Sequence, residues 1–176
     1  MKLFSAIIFI FSTSLFAQSV VELFKKEQYS YLCLHRWKYI NKYQLKREDL
    51  LSLVAYACIK KHYLTPALDL AKTLRMTKEG RINATYITTL YLIKLLIIHY
   101  LNNEKEFLNV SIPNIENDLL GYIFTLIQKQ KPPVVNLSTE VADKNKRYVI
   151  EFKPKINNLI INIYNGQSLI KKEIYW

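Results

Sequence analysis

Residues 82–101 read INATYITTLYLIKLLIIHYL and are apolar on almost every side of a helical wheel. At about 100° per residue, Ile87, Leu90, Tyr91, Leu95, Ile98 and Leu101 fill one face. Leu92 and Leu96 keep the opposite face apolar among Thr85, Thr88, Thr89 and His99. A helix that is hydrophobic all round is buried on both sides, so this stretch is expected to be the central helix of the fold. The run 87–101 is shorter than the roughly 20 residues a bilayer span needs, and Lys94 sits in its middle.

The chain has 176 residues, 51% of them hydrophobic, enough for one compact domain with a small appendage. Lys and Arg outnumber Asp and Glu by 25 to 14, a net charge of +11. Such a surplus favours acidic partners. The lysines are spread along the sequence rather than gathered in one block. An anionic envelope polymer, lipid head groups or an acidic protein face are therefore expected before nucleic acid. A bias toward Lys, Ile, Leu, Asn and Tyr is the simpler source of the same charge.

Residues 1–17 have the order of a secretory signal peptide: Lys2, the apolar run LFSAIIFIF, then STSLFA with cleavage expected after Ala17. The alternative is an uncleaved anchor. No cysteine follows the apolar run, which argues against a lipoprotein. Export to a bacterial periplasm is the expectation.

From Ser19 the pattern is helical. Val20, Leu23 and Phe24, then Tyr31, Leu34, Trp37 and Ile40, recur at three- and four-residue steps, with a break near residues 28–30. A second pair follows, carrying Leu50, Leu51, Val54, Ala57 and Cys58 and then Leu68, Ala71 and Leu74. Thr65-Pro66 reads as its second helix start and Lys78-Glu79-Gly80 as that helix's end.

The two pairs resemble one another at an offset of 35. Phe24-Lys25-Lys26 returns as Ile59-Lys60-Lys61, Leu32 falls on Ala67 and Tyr39 on Leu74. A period near 34 with paired short helices resembles tetratricopeptide-type repeats over residues 19–101. Val54, Ala55, Ala67, Ala71 and Leu74 stand at spacings similar to that family's packing positions. The chain departs from the family in lacking a tight-packing Gly, in placing Arg36 at an apolar position and in having no Pro that closes a repeat. The resemblance implies stacked antiparallel helical hairpins across residues 18–130, on the pattern of a protein-binding scaffold.

A further amphipathic helix is expected over residues 114–130 through Ile115, Leu119, Tyr122, Ile123, Leu126 and Ile127, stopped by Lys131-Pro132-Pro133. Residues 131–146 read as a linker. Then the period changes to 2. Residues 147–176 are expected to form a small antiparallel three-strand meander turning at Asn165-Gly166. A two-residue turn there places Ile161 opposite Ile170, and Leu159, Ile161, Ile163, Ile170 and Ile174 on one apolar face. The fold class is thus mainly α with a β appendage. Ile174-Tyr175-Trp176 ends the last strand in aromatics, but three strands cannot close a barrel.

No residue pattern points to catalysis. His35, His62 and His99 stand alone, without paired metal-ligand spacing. Glu48-Asp49 reads as helix capping, and with three glycines in the chain a phosphate-cradling loop is not expected. No cofactor and no metal are expected. A buried, unpaired Lys94 would cost several kcal/mol. It therefore snorkels, pairs with Glu116 or Asp118, or faces a partner's carboxylate. Lys94, Tyr91, Tyr175 and Trp176 are the candidate partner-contacting residues.

Cys33 and Cys58 are the only cysteines. Folding an antiparallel pair about the turn at residues 44–47 sets residue i against 91 minus i, and hence Cys33 against Cys58. In an exported chain such a pair is expected to be oxidised; otherwise both are buried small hydrophobes. The function expected is that of a non-enzymatic periplasmic adaptor or scaffold in a cell-envelope machine, such as a flagellar motor scaffold or an envelope assembly complex. A binder of anionic envelope polymer or lipid is the alternative, and a small hydrolase a third class.

Overall fold

The computed structural model describes residues 19–44, 46–113, 115 and 117–176; the expected leader lies outside them. Helices α1 (Val20–Lys25), α2 (Tyr29–Leu34), α3 (Arg36–Tyr43), α4 (Glu48–Lys60), α5 (Leu64–Ala71), α6 (Lys78–Leu101) and α7 (Leu119–Gln130) precede four strands. The strands are β1 (Ser138–Asp143), β2 (Lys146–Lys153), β3 (Asn158–Asn165) and β4 (Ser168–Tyr175). The chain is mainly helical, with an antiparallel sheet at its C-terminal end.

Ser19 opens α1 with a capping box: its hydroxyl accepts from the Glu22 amide and the Glu22 carboxylate accepts from the Ser19 amide. His35 then interrupts the next helical run and divides it into α2 and α3. Helix α4 packs against α1, α2, α3 and α5, while α5 packs against α6. Within that body Leu32, Leu51, Val54, Ala57, Ala67 and Leu70 are buried.

The central helix is longer than its apolar run, because Thr77 caps it by accepting from the Gly80 amide. Lys78-Glu79-Gly80 therefore opens α6 rather than closing α5, which ends at Ala71. Thr65 likewise lies inside α5 instead of capping it. At 24 residues, α6 is long and apolar enough by length and composition to cross a membrane, so length does not exclude a span. Here it instead packs against α4, α5, α7 and β2. It buries Ile87, Leu90, Ile93, Leu96, Ile97, Tyr100 and Leu101, and leaves Leu92 exposed.

Helix α7 starts at Leu119 rather than near residue 114, because the Asp118 carboxylate accepts from the Leu120 amide and caps it there. Residues 131–146 are not a plain linker. They contain β1, which makes the sheet four-stranded in the order β1-β2-β3-β4. The Gln130 side chain caps the outer edge of β1, donating to the Ala142 carbonyl and accepting from its amide. Strand β1 carries little period-2 signal because Ser138-Thr-Glu-Val-Ala-Asp143 has one large apolar residue, Val141, and presents only Thr139 and Val141 inward.

Val141, Tyr148, Ile150, Leu159, Ile161 and Ile163 are buried on the inner face of the sheet. The β3–β4 register differs from the expected one. Asn165 pairs with Ser168, so the loop residues are Gly166 and Gln167, with Gly166 at φ +57°. Tyr164 pairs with Leu169 but Ile163 pairs with Lys171. Ile170 is the extra residue of a bulge and is 53% exposed, not part of the buried face. The same shift sets Ile161 opposite Glu173 and Leu159 opposite Tyr175.

Candidate functional site

The first helical hairpin is covalently closed. Cys33 on α2 and Cys58 on α4 are joined at 2.08 Å, with Cα atoms 5.0 Å apart. Both sit in fully buried positions. On the outside of the same hairpin, Tyr31, Leu34 and Trp37 recur every third residue and are 42, 64 and 52% exposed. Tyr31 and Leu34, three apart on α2, are surface neighbours, and Trp37 follows at the start of α3 beyond the His35 break. Tyr31 stacks on the His35 ring at 4.1 Å, and the Arg36 guanidinium lies 5.5 Å from the Trp37 ring. Arg36 also pairs with Asp69 at 2.8 Å, tying α3 to α5.

Lys94 is inside the protein, 1% exposed. It neither snorkels nor pairs with Asp118, and Glu116 lies outside the described residues. Its ammonium donates to the Asn157 carbonyl at 3.1 Å. Asn157 follows the turn between β2 and β3, at φ +52°. Burial pulls the Lys94 pKa down to about 8. The side chain thus ties the central helix to the sheet and is not offered to a partner. Tyr91 is half-buried against the core.

Tyr175 and Trp176 do come together with chemistry, at the seam where the last strand meets the helical body. The Trp176 amide donates to the His62 carbonyl at 3.0 Å, and the Trp176 carbonyl accepts from the Leu64 amide at 3.2 Å. Trp176 stands edge-on to Tyr63 and the Tyr175 ring lies 4.3 Å from the His62 ring. Beside this seam is a cleft of about 650 Å³. It is walled by Tyr56 and Lys60 of α4, Lys61 at its C-cap, His62, Tyr86 of α6, Asn117 and Asp118 before α7, and Lys171, Glu173 and Tyr175 of β4.

Register places the charged wall. Glu173 continues the inward row Thr139, Ile150, Ile161, and a carboxylate there needs compensation. It receives it from Lys171 at 2.5 Å and His62 at 2.7 Å. His62 reaches that position from a left-handed backbone, φ +56°. Burial raises the Asp118 carboxyl pKa, against the lowering effect of the Leu120 amide. Burial, followed by the neighbouring Asp118 carboxylate, pushes the Tyr86 phenol up to about 12. Burial also raises the Tyr175 phenol, whose oxygen has no hydrogen-bond partner among the described residues. Both phenols are therefore neutral donors at physiological pH.

Sequence reasoning picked out Tyr175 and Trp176 but missed His62, Glu173 and Lys171. Only the bulge at Ile170 puts Lys171 and Glu173 on the inner side of the strand, with Lys172 between them facing out. Among the described residues, no group of three or more His, Cys, Asp or Glu side chains could hold a metal ion. None of the protein-family models, curated proteins or solved structures with which the chain was compared matches it.

Proposed function

We propose that this protein is a non-enzymatic adaptor that holds another protein of the bacterial cell envelope, built on helical hairpins of tetratricopeptide type. The observation that carries the reading is the exposure of Tyr31, Leu34 and Trp37 on the outer hairpin. Three large exposed apolar side chains close together in α2 and α3, flanked by Arg36 and Lys38, have the aromatic and arginine chemistry of interface hot spots. The disulfide beneath them fixes the hairpin and lowers the ordering cost of binding. The leader-like residues 1–17 support export to the periplasm, where such a disulfide is maintained. The envelope machine could be a flagellar motor scaffold or an envelope assembly complex.

The test is affinity capture from crosslinked envelope with the parent chain and a Leu34→Ser/Trp37→Ser variant. Recovery of a defined set of envelope proteins by the parent, lost by a variant that melts at the same temperature, is the expected result. Equal recovery by both, or recovery of glycan or lipid alone, overturns it. Binding through these apolar side chains should also hold between about 0.05 and 0.5 M salt, where surface charge attraction is screened.

A further inference from the structure

The cleft between α4, α7 and β4 has an inventory of its own, independent of the adaptor reading. Its lining carries three ammonium groups, Lys60, Lys61 and Lys171, against two carboxylates, Glu173 and Asp118. Glu173 is matched by Lys171 and His62. Asp118 is committed to capping α7, with the Tyr86 hydroxyl 3.5 Å away. Among the described residues Lys60 and Lys61 have no carboxylate within ion-pair distance. They remain as the cationic rim.

The rest of the lining narrows the ligand. Tyr56 is an exposed aromatic wall and Lys60 leans over its ring at 5.2 Å. The Asn117 amide, the Asp118 carboxylate and the Tyr86 hydroxyl supply donors and acceptors elsewhere in the lining. Its volume of about 650 Å³ is in the range that encloses small ligands. A bare anion would leave the aromatic wall and the acceptors unused, and a neutral sugar would leave the two lysines unused.

We propose that this cleft binds an acidic sugar, a hydroxylated ring bearing one carboxylate or phosphate. The anionic group draws the Lys60 ammonium off the Tyr56 ring and lies between Lys60 and Lys61, the sugar ring rests on Tyr56, and its hydroxyls face Asn117, Asp118 and Tyr86. The site goes beyond the adaptor function and neither requires nor excludes it.

The experiment is calorimetric titration of the full chain with glucuronate, glucose 6-phosphate, glucose and inorganic phosphate, repeated on a Lys60→Gln/Lys61→Gln variant. The two lysines are exposed and, among the described residues, outside any ion pair, so the variant should melt as the parent does. Glucuronate or glucose 6-phosphate should bind at least about tenfold tighter than glucose or phosphate, and the variant should lose about tenfold, the effect of two surface charge contacts. A Tyr56→Ala variant should lose a similar factor through the ring contact. Polygalacturonate separates the sources. Tighter binding than glucuronate that is lost in the lysine variant assigns the ligand to a polymer chain. Polymer binding that survives the variant belongs to the general basic surface and overturns the site. So does the absence of binding by both acidic sugars, or phosphate binding as tightly as they do.

Discussion

Glu48 Oε2 accepts from both the amide and the hydroxyl of Thr77, at 2.8 and 2.7 Å, so the first residue of α4 holds the start of the central helix. Its other oxygen accepts from the Arg75 and Met76 amides at 2.7 and 2.6 Å. Glu48 therefore caps the far end of the α5–α6 loop rather than its own helix. Burial alone would raise its pKa, but the four hydrogen bonds outweigh burial and hold the carboxyl at about 2.

That value is lower than the ordinary 4.5 expected when the chain unfolds. The ionised clamp should therefore contribute in full above pH 4.5 and be lost as pH falls toward 2, about 3 kcal/mol in all. Glu48→Gln should lose most of that at pH 7, and the gap to the parent should shrink by about half at pH 3 and close only below about pH 2. Urea unfolding at pH 7, 4.5 and 3 checks it; a gap constant with pH would show that the clamp is not ionic.

Gly80 is part of the same clamp. A Cβ added there would lie 2.9 Å from the Thr77 hydroxyl and closer still to the Glu48 carboxylate. Gly80→Ala should therefore destabilise by about 1–3 kcal/mol, although alanine favours a helix by about 1 kcal/mol over glycine. In a Glu48→Ala background that penalty should shrink or reverse, which a double-mutant cycle reads directly.

Lys94 contributes with the opposite sign, a penalty rather than a gain, although stability again rises with pH. Its folded pKa of about 8 lies below the ordinary 10.5, so the folded state carries a penalty that is full below pH 8 and fades toward pH 10.5. Lys94→Met should stabilise by about 1–2 kcal/mol at pH 7, the gain being reduced by the orphaned Asn157 carbonyl. The difference between variant and parent should fall by pH 10. Thermal melts at pH 7, 9 and 10 decide it.

The Cys33–Cys58 bond closes a 25-residue separation. On the chain-entropy estimate it contributes roughly 3–4 kcal/mol. Cys33→Ala/Cys58→Ala should lower the denaturation midpoint accordingly, and reductant should destabilise the parent but not the variant. Non-reduced mass spectrometry of the purified chain should find no free thiol.

Much of this architecture was legible locally. The 3.6-residue period of residues 19–101 and the change to period 2 near Tyr148 both act between neighbours in the chain. The cysteine pairing was legible too, because an antiparallel turn at residues 44–47 fixes which residues face each other. Strand β1 was not, since an edge strand with polar Thr139 on its inner face carries little period-2 signal. The hairpin register was not, because one bulged residue at Ile170 shifts every side chain beyond it.

The sequence by itself determined the helical runs, a hairpin near Gly166 though not its exact turn, the covalent pair and the basic surplus, each set by residue chemistry within a few positions or by a single fold-back. Only the tertiary structure decided that Glu48 caps a helix 29 residues further on, that Lys94 ends on the Asn157 carbonyl, and that His62, Asp118 and Glu173 line one cleft. Such contacts join segments far apart in the chain. A side chain's spacing shows which face of an element it occupies, but its partner depends on which distant element that face is packed against.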